Sequence, residues 1–546
     1  MGHLIFNSNF TASSATGSPT GGFGGADFFL GLPSELNRGN STGQTWQQSS
    51  NVFGFYGQDN WRITDRLTLN LGLRYEAHTP WVEEHDKQVN IQLGTGAVLF
   101  AGQDGNSRAL YNGVYGGKAL QPRIGFAWSP AMLGGHTVVR GAFTISSYME
   151  GTGTNLRLPL NPPFTPAEFD IQYNSLPLPL RTSTDGIPAV PAPTLDCPNY
   201  QCFAGALLRI WDPNVQPSMS DQWNLTVQHQ FWKDMTFQIG YVGQRGTHLM
   251  VPFNYAQRVL NSDGSTSPSP FLAGNPQLAA IASDKASGTQ SNGNMTYHAM
   301  QAVLQKHMSK GLQFQVAYTF SKCMSDSTGY YGAWVRTGSA SAYFQNTYDQ
   351  KDEWAPCYYD ASHVVSTYAI YELPVGRGRM FGTDMNKFAD AAVSGWSVSG
   401  IMTSSTGFPL SVFPSANTTG VDSRGPRPDC LGTTSAQGKV DATGAQGFQW
   451  FTNPGVFQNS ATGTFGTCAP QLGWLRGPGY INFDLSLQKD FHITERFKLQ
   501  FRSDFLNAFN HVNLNGPNTT LGSPTLGLIN TAQSPRNIQF ALKLYY

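Results

Sequence analysis

The chain has 546 residues, with Lys+Arg and Asp+Glu balanced at 34 each and only 12% charged residues; a soluble globular protein usually carries about twice that share. The balance leaves no basic footprint for nucleic acid, and no stretch approaches the roughly 20 consecutive apolar residues of a membrane helix. A closed barrel is the other way across a bilayer, and it hides no long apolar run because only alternate residues meet lipid.

In chain order, the start Met1-Gly2-His3-Leu4-Ile5-Phe6 lacks the cationic and apolar regions and the cleavage site of a signal peptide. An exported protein needs one, so the N-terminus is read as truncated. An early strand is predicted over residues 3–11. Gly21, Gly22, Gly24 and Gly25 follow no strand, open no helix and read as loop. Over 66–76, Leu67, Leu69, Leu71, Leu73 and Tyr75 alternate with Thr68, Asn70, Gly72, Arg74 and Glu76. The same period returns at Trp223, Leu225, Val227 and Phe231, at Phe237, Ile239 and Tyr241, and at Leu312, Phe314, Val316, Tyr318 and Phe320. It returns again at Ile481, Phe483, Leu485 and Leu487, at Phe497, Leu499 and Phe501, and finally at Ile538, Phe540, Leu542, Leu544 and Tyr546. Half-buried strands of a soluble sandwich alternate too. Length separates the cases, because ordinary strands average five or six residues and a tilted barrel strand needs about 9 to 11.

The connections fall into two classes that take turns. Tight ones lie at 64–65, 131–135, 233–234, 309–311 and 492–495, and long ones fill 77–119, 149–220, 246–296, 323–362, 409–479 and 510–535. The stretch 374–395 is an exception, sitting where a short turn is expected. Short turns on one side and long loops on the other are the asymmetry of an outer-membrane barrel, with turns periplasmic and loops extracellular. Trp61, Trp128, Phe231, Trp232 and Phe491 lie beside short turns, and Tyr75, Tyr148, Trp223 and Tyr241 beside long loops. Those are the two depths at which amphipathic rings form girdles, although aromatics also end strands in soluble proteins. With the early strand included, the count is about 14, an even number as bacterial barrels require.

Several stretches resemble the barrel of TonB-dependent receptors of the Oar-like kind. They are Gly54-Phe55-Tyr56-Gly57-Gln58-Asp59-Asn60-Trp61-Arg62, the strand from Leu67 to Glu76, Pro122-Arg123-Ile124-Gly125-Phe126-Ala127-Trp128, Gln222-Trp223-Asn224 and Gly240-Tyr241-Val242-Gly243. Further matches are Ala317-Tyr318-Thr319-Phe320-Ser321-Lys322, Arg476-Gly477-Pro478-Gly479, Asp504-Phe505-Leu506-Asn507-Ala508-Phe509-Asn510 and the terminal aromatic strand. The resemblance covers nearly the whole chain and is specific only as an ensemble. It implies a barrel of about 22 strands, a plug domain inside it and a periplasmic segment that engages TonB. This sequence shows no plug or TonB-engaging segment before its first strand. The expectation is therefore a C-terminal barrel portion over 1–546, with a smaller closed barrel as the other reading. A last strand ending in Phe540, Leu542, Leu544 and Tyr546 resembles the signal read by the barrel-assembly machinery.

Cys197, Cys202, Cys323, Cys357, Cys430 and Cys468 all fall in or beside long loops. Neighbour pairing is the simplest of the 15 connectivities of six cysteines and would restrain loops that otherwise lack a core. A zinc site lacks a CxxC spacing, and free thiols are the remaining alternative. Glu83, Glu84, His85 and Asp86 with His78, and likewise Asp352, Glu353 and Asp360, read as solvated charge runs rather than metal ligands. Arg74, Arg140, Arg502 and Asp484 are expected to face the lumen, because a charge on the lipid face costs roughly 2–4 kcal/mol at midplane. No nucleophile elbow, HExxH, Walker loop or dinucleotide fingerprint is present, so no catalytic residue, metal ligand or cofactor is assigned.

The sequence thus predicts an all-β fold, a transmembrane antiparallel up-and-down β-barrel in the outer membrane of a Gram-negative bacterium. The expected function is ligand capture by extracellular loops with TonB-energised uptake. A passive channel or adhesin and, less favoured, a secreted β-rich carbohydrate-active enzyme are the alternatives. The expected partners are outer-membrane lipid, the assembly machinery, TonB through a plug region and an extracellular ligand that the sequence does not identify.

Overall fold

The fold is seen in a computed structural model that describes residues 2–8, 10–12, 21–38, 46–149, 155–165, 169–172, 182–187, 198–204, 206–281, 286–329, 333–335, 338–440, 447–494 and 496–546. Its main element is one sheet of 15 strands, two of them short side additions, Leu208–Trp211 and Ala355–Pro356. The other strands are β1 (Val52–Thr64), β2 (Leu67–His78), β3 (Leu120–Trp128), β4 (Thr137–Tyr148), β5 (Ser218–Trp232), β6 (Met235–Phe253) and β7 (Ala286–Ser309). They continue as β8 (Leu312–Ser325), β9 (His363–Glu372), β10 (Trp396–Ser405), β11 (Tyr480–His492), β12 (Lys498–Leu506) and β13 (Asn537–Tyr545). Each pairs antiparallel with its neighbour in the chain, and β1 and β13 form the two edges.

The register shows why two-residue alternation is the governing pattern. One cross-strand row runs Trp61, Leu69, Phe126, Gly141, Leu225, Tyr241, Met300, Phe320, His363. It is almost wholly apolar. The adjacent face carries Gln228, Gln238, Val303, Ala317, Ser366, Thr403 and Asn482, all but Val303 polar or small. The apolar row also climbs, from Trp61 beside a short turn to His363 at the loop end of β9, which is the stagger of tilted barrel strands.

The apolar face is not packed against a second sheet. Leu225 is 51% exposed, Phe320 49% and Phe540 72%. The buried hydrophobic clusters lie instead in the loops and in strand ends beyond the apolar band. Such an arrangement requires hydrocarbon as the solvent of that face.

Two-residue connections close the short-turn side at Asp65-Arg66, Lys233-Asp234 and Lys310-Gly311. At the last, Lys310 (φ 50°) and Gly311 (φ 78°) are both left-handed, the backbone of a type I′ hairpin turn, whose second position glycine fills without steric cost. The exceptional stretch after β9 holds a helix, Lys387–Val393, whose N-cap Asn386 accepts from the Ala389 amide. Asp234 is held down to about 2 by the Lys306 ammonium and then the Ser309 hydroxyl, which tie the β5–β6 turn to the end of β7.

The early strand departs from expectation. Gly2–Ile5 pairs with Glu35–Arg38 in a separate three-stranded sheet that also holds Phe169–Gln172. Four-residue strands are too short to cross hydrocarbon, so the spanning count among the described residues is 13 rather than about 14. Strands β6 and β7 run further than predicted, 19 and 24 residues. Beyond the bilayer, backbone pairing continues without apolar alternation, through irregularities around Leu249.

Candidate functional site

The long loops build a consolidated layer at one end of the sheet. Val89 and Ile91 from the β2–β3 loop, Phe203, Leu208 and Ile210 from the β4–β5 loop, and Tyr255, Leu272 and Leu278 from the β6–β7 loop share one buried cluster. A second gathers Leu110, Tyr111, Leu158, Trp211 and Met250, and a third Leu410, Phe451, Phe457, Leu472 and Leu475. The expectation that these loops lack a core is overturned. Apolar residues scattered too sparsely to form a core within one loop do so when several loops meet.

Buried amides lock that layer. Asn90 Nδ2 donates to the Leu110 and Trp211 carbonyls at 3.2 and 2.9 Å, and its Oδ1 accepts from the Trp211 amide at 3.0 Å. Asn161 joins Val89 to Arg209 in the same way, donating to both carbonyls at 2.7 Å. Gln345, 1% exposed, is the hub on the other side. Its amide donates to Glu353 Oε1 at 2.8 Å, and its Nε2 donates to the Gly466 carbonyl at 2.9 Å. Its Oε1 accepts from the Arg427 and Gly466 amides, at 3.0 and 2.9 Å, and its carbonyl accepts from Gln257 Nε2 and Ser423 Oγ. Side-chain amides suit this task because each offers two donors and an acceptor for carbonyls and amides that no ladder satisfies. Sequence reading missed these residues, since an Asn or Gln in a polar loop carries no pattern.

The carboxylates read as solvated runs are largely structural. Glu83 is 1% exposed, its Oε2 accepting from the His85 and Lys87 amides at 2.8 and 2.9 Å. Asp86 pairs with Arg108 at 2.5 Å and His78 with Glu76 at 3.2 Å, while Glu84 and His85 stay outside these pairs. Asp360 is buried, holding Arg476 at 2.6 Å and the Cys323 amide at 2.8 Å. Arg427 joins Asp352 at 2.9 Å and Glu353 at 3.0 Å. Burial pushes Glu353 up to about 7, against the opposing pull of Arg427. The correction has one cause: a loop folded over other loops must neutralise its amides and guanidinium groups internally.

Cys323 is bonded to Cys357 and Cys430 to Cys468, with Cα separations of 5.3 and 4.9 Å. Cys202 is also disulfide-bonded, whereas Cys197 lies outside the described residues.

On the polar face of the sheet, charges pair along their own strands, Arg74 with Glu76 at 2.5 Å and Arg502 with Asp504 at 2.8 Å. Asp484 accepts from the Asn507 amide at 2.8 Å. Arg140 shares that face with Thr226 and Ala127. The apolar face carries most of the aromatics: Trp61, Trp128, Trp232 and Tyr241 are exposed, and Tyr75 and Trp223 partly so, whereas Tyr148, also exposed, falls in the polar-face register of Arg140, opposite Ser218. The Trp223 ring lies against Gly243, where any Cβ would collide with it, an aromatic covering a strand glycine. Lys489 shares the apolar register with Trp396 and Phe501. Its ammonium lies 5.2 Å from the Trp396 ring and 4.8 Å from the Phe491 ring and donates to the Ser394 carbonyl at the short-turn rim, a snorkelling lysine under an aromatic lid. Tyr546 is 96% exposed, one residue beyond the end of β13.

A family model described as an outer membrane beta barrel domain matches residues 1–539. Comparison with curated proteins returns no match. Among solved structures, the chain is similar to the pyoverdine outer membrane receptor FpvA from Pseudomonas aeruginosa, with 11% identity, 97% of this chain and 44% of that chain covered, and a TM-score of 0.42. It is also similar to the outer membrane transporter YddB from Escherichia coli, with 8% identity, coverage of 91% and 45%, and a TM-score of 0.43. For the FrpB iron transporter from Neisseria meningitidis the identity is 10%, the coverage 92% and 46%, and the TM-score 0.40. The chain spans less than half the length of each of these proteins.

Proposed function

This chain belongs to the outer membrane beta barrel domain family of Gram-negative outer membranes, and on that premise we propose that it is the wall and ligand-capturing cap of a receptor that takes up its ligand in a TonB-energised step. The observation that carries this reading is the loop layer. Several loops share buried clusters and amide hubs above a hydrogen-bonded polar wall, which makes a pre-organised surface for selective capture. A general diffusion pore has no need of a cap organised in this way. Binding and transport, with no catalytic step, are the proposed activity.

The same proposal places this chain within a larger barrel. Strands β1 and β13 run in the same direction, because they are the first and last of 13 consecutive antiparallel strands. Pairing them with each other would make a parallel seam. Leaving them open in lipid would strand two rows of amides and carbonyls. An odd number of further strands closes the sheet antiparallel throughout and gives the even total usual in bacteria. A plug region filling the lumen and engaging TonB completes the proposal, with the exposed Tyr546 read by the assembly machinery.

Planar-bilayer recording of the protein purified from outer membranes tests the reading. A plugged receptor gives a quiet baseline and binds the isolated periplasmic domain of TonB. A stable resting conductance without TonB binding would favour a passive channel and overturn the proposal.

A further inference from the structure

On β8 the lipid-facing positions are Leu312, Phe314, Val316, Tyr318 and Phe320, and the next is Lys322. Ten residues at about 3.3 Å each, tilted by roughly 40°, climb about 25 Å, the full height of the apolar band. Lys322 therefore stands at the headgroup level of the outer leaflet. On β6 the corresponding series Phe237, Ile239, Tyr241, Gly243 ends in Arg245. On β7, His298 is the direct cross-strand partner of both Gly243 and Lys322, so its Cβ lies about 5 Å from that of Lys322, with Arg245 on a diagonal of about 7–8 Å.

All three side chains are exposed. Arg245 and Lys322 form no ion pair among the described residues. Asp221, opposite Arg245 in the register, forms none with it either. This contrasts with the short-turn rim, where Lys306 is neutralised by Asp234 and Lys489 is tucked beneath rings. His298 is fixed in place, its Nδ1 2.7 Å from the Tyr241 hydroxyl and its ring edge-on to Trp223 at 6.3 Å.

From this arrangement we infer that Arg245, His298 and Lys322 form an exterior binding site for the phosphorylated headgroup of an outer-leaflet glycolipid, whose acyl chains lie along the apolar face below. Guanidinium and ammonium groups carried together at this depth recognise phosphate oxygens. Continuity with the lipid-facing rows Tyr241–Met300–Phe320 supplies the surface for the chains. The inference rests on the outer-membrane placement of the chain and is independent of energised uptake, so the conductance experiment above leaves it standing or falling on its own test.

That test is native mass spectrometry of the protein purified from outer membranes in mild detergent and offered bisphosphorylated lipid A, its dephosphorylated form, phosphatidylethanolamine or inorganic phosphate. Retention of bisphosphorylated lipid A at least tenfold above the dephosphorylated form and above phosphatidylethanolamine is expected, falling at least tenfold in the Arg245→Gln/Lys322→Gln double variant. Heat-modifiable migration reports whether the variant is assembled; the comparison of phosphorylated and dephosphorylated lipid on the unaltered protein needs no variant. Equal retention of both lipids, unchanged retention by an assembled double variant, or equally effective displacement by inorganic phosphate would overturn the assignment.

Discussion

The alternation argument is tested most sharply by placing one charge on each face of a single strand at the same depth. Ile239 and Gln238 are adjacent in β6. Ile239 is 41% exposed, between Val227 and Ala302 on the apolar face, while Gln238 lies between Gln228 and Val303 on the polar face. Four residues from the start of β6 at Met235, Ile239 sits about 10 Å up a band about 25 Å high, close to midplane. Ile239→Arg is expected to cost about 2–4 kcal/mol, the price of a cation in hydrocarbon. Gln238→Arg, hydrated in the lumen, is expected to stay within about 0.5 kcal/mol. Urea-dependent folding into phospholipid vesicles, followed by tryptophan fluorescence and heat-modifiable migration, gives both values. Equal costs, or a larger cost for Gln238→Arg, would refute the assignment of faces and with it the membrane reading of every strand in register with β6.

Deleting Tyr546, which lies outside the ladder, is expected to leave strand pairing intact and yet lower the fraction of heat-modifiable protein in the outer membrane of growing cells. Replacing Cys430 and Cys468 with serine releases a loop of 38 residues, worth about 4 kcal/mol of chain entropy; limited proteolysis is expected to cut the 409–479 region faster while the sheet persists. Glu353 binds its proton more tightly in the fold, up to about 7 against 4.5 when free, so its contribution is fully present below about 4.5 and is lost as pH rises to about 7. Hydrogen exchange around Gln345 and Arg427 should accelerate across that window by an amount corresponding to roughly 3 kcal/mol, and Glu353→Gln should remove most of the pH dependence.

The spanning strands were legible because their signal is local. Leu67 to Tyr75 or Ile538 to Leu544 state their own facing through a period of two, and the alternation of short and long connections states the orientation. The early strand misled because apolar character in residues 3–11 says nothing of partner or length, and its four paired residues joined a loop-level sheet. Glu83, Glu353 and Asp360 were misread for a related reason. A carboxylate in a polar stretch looks solvated until the loops covering it are known.

What the sequence alone determined is the class of solvent on each face of each strand, since a neighbouring pair of side chains suffices to record it. Only the tertiary structure decided how the loops become a cap, because its contacts join residues as far apart as Asn90 and Trp211 or Gln345 and Gly466, each separated by 121 positions. The gathering of Arg245, His298 and Lys322 into one basic patch was likewise decided by strand register. Register is a relation between strands, fixed by turn geometry and tilt, and no single segment carries it.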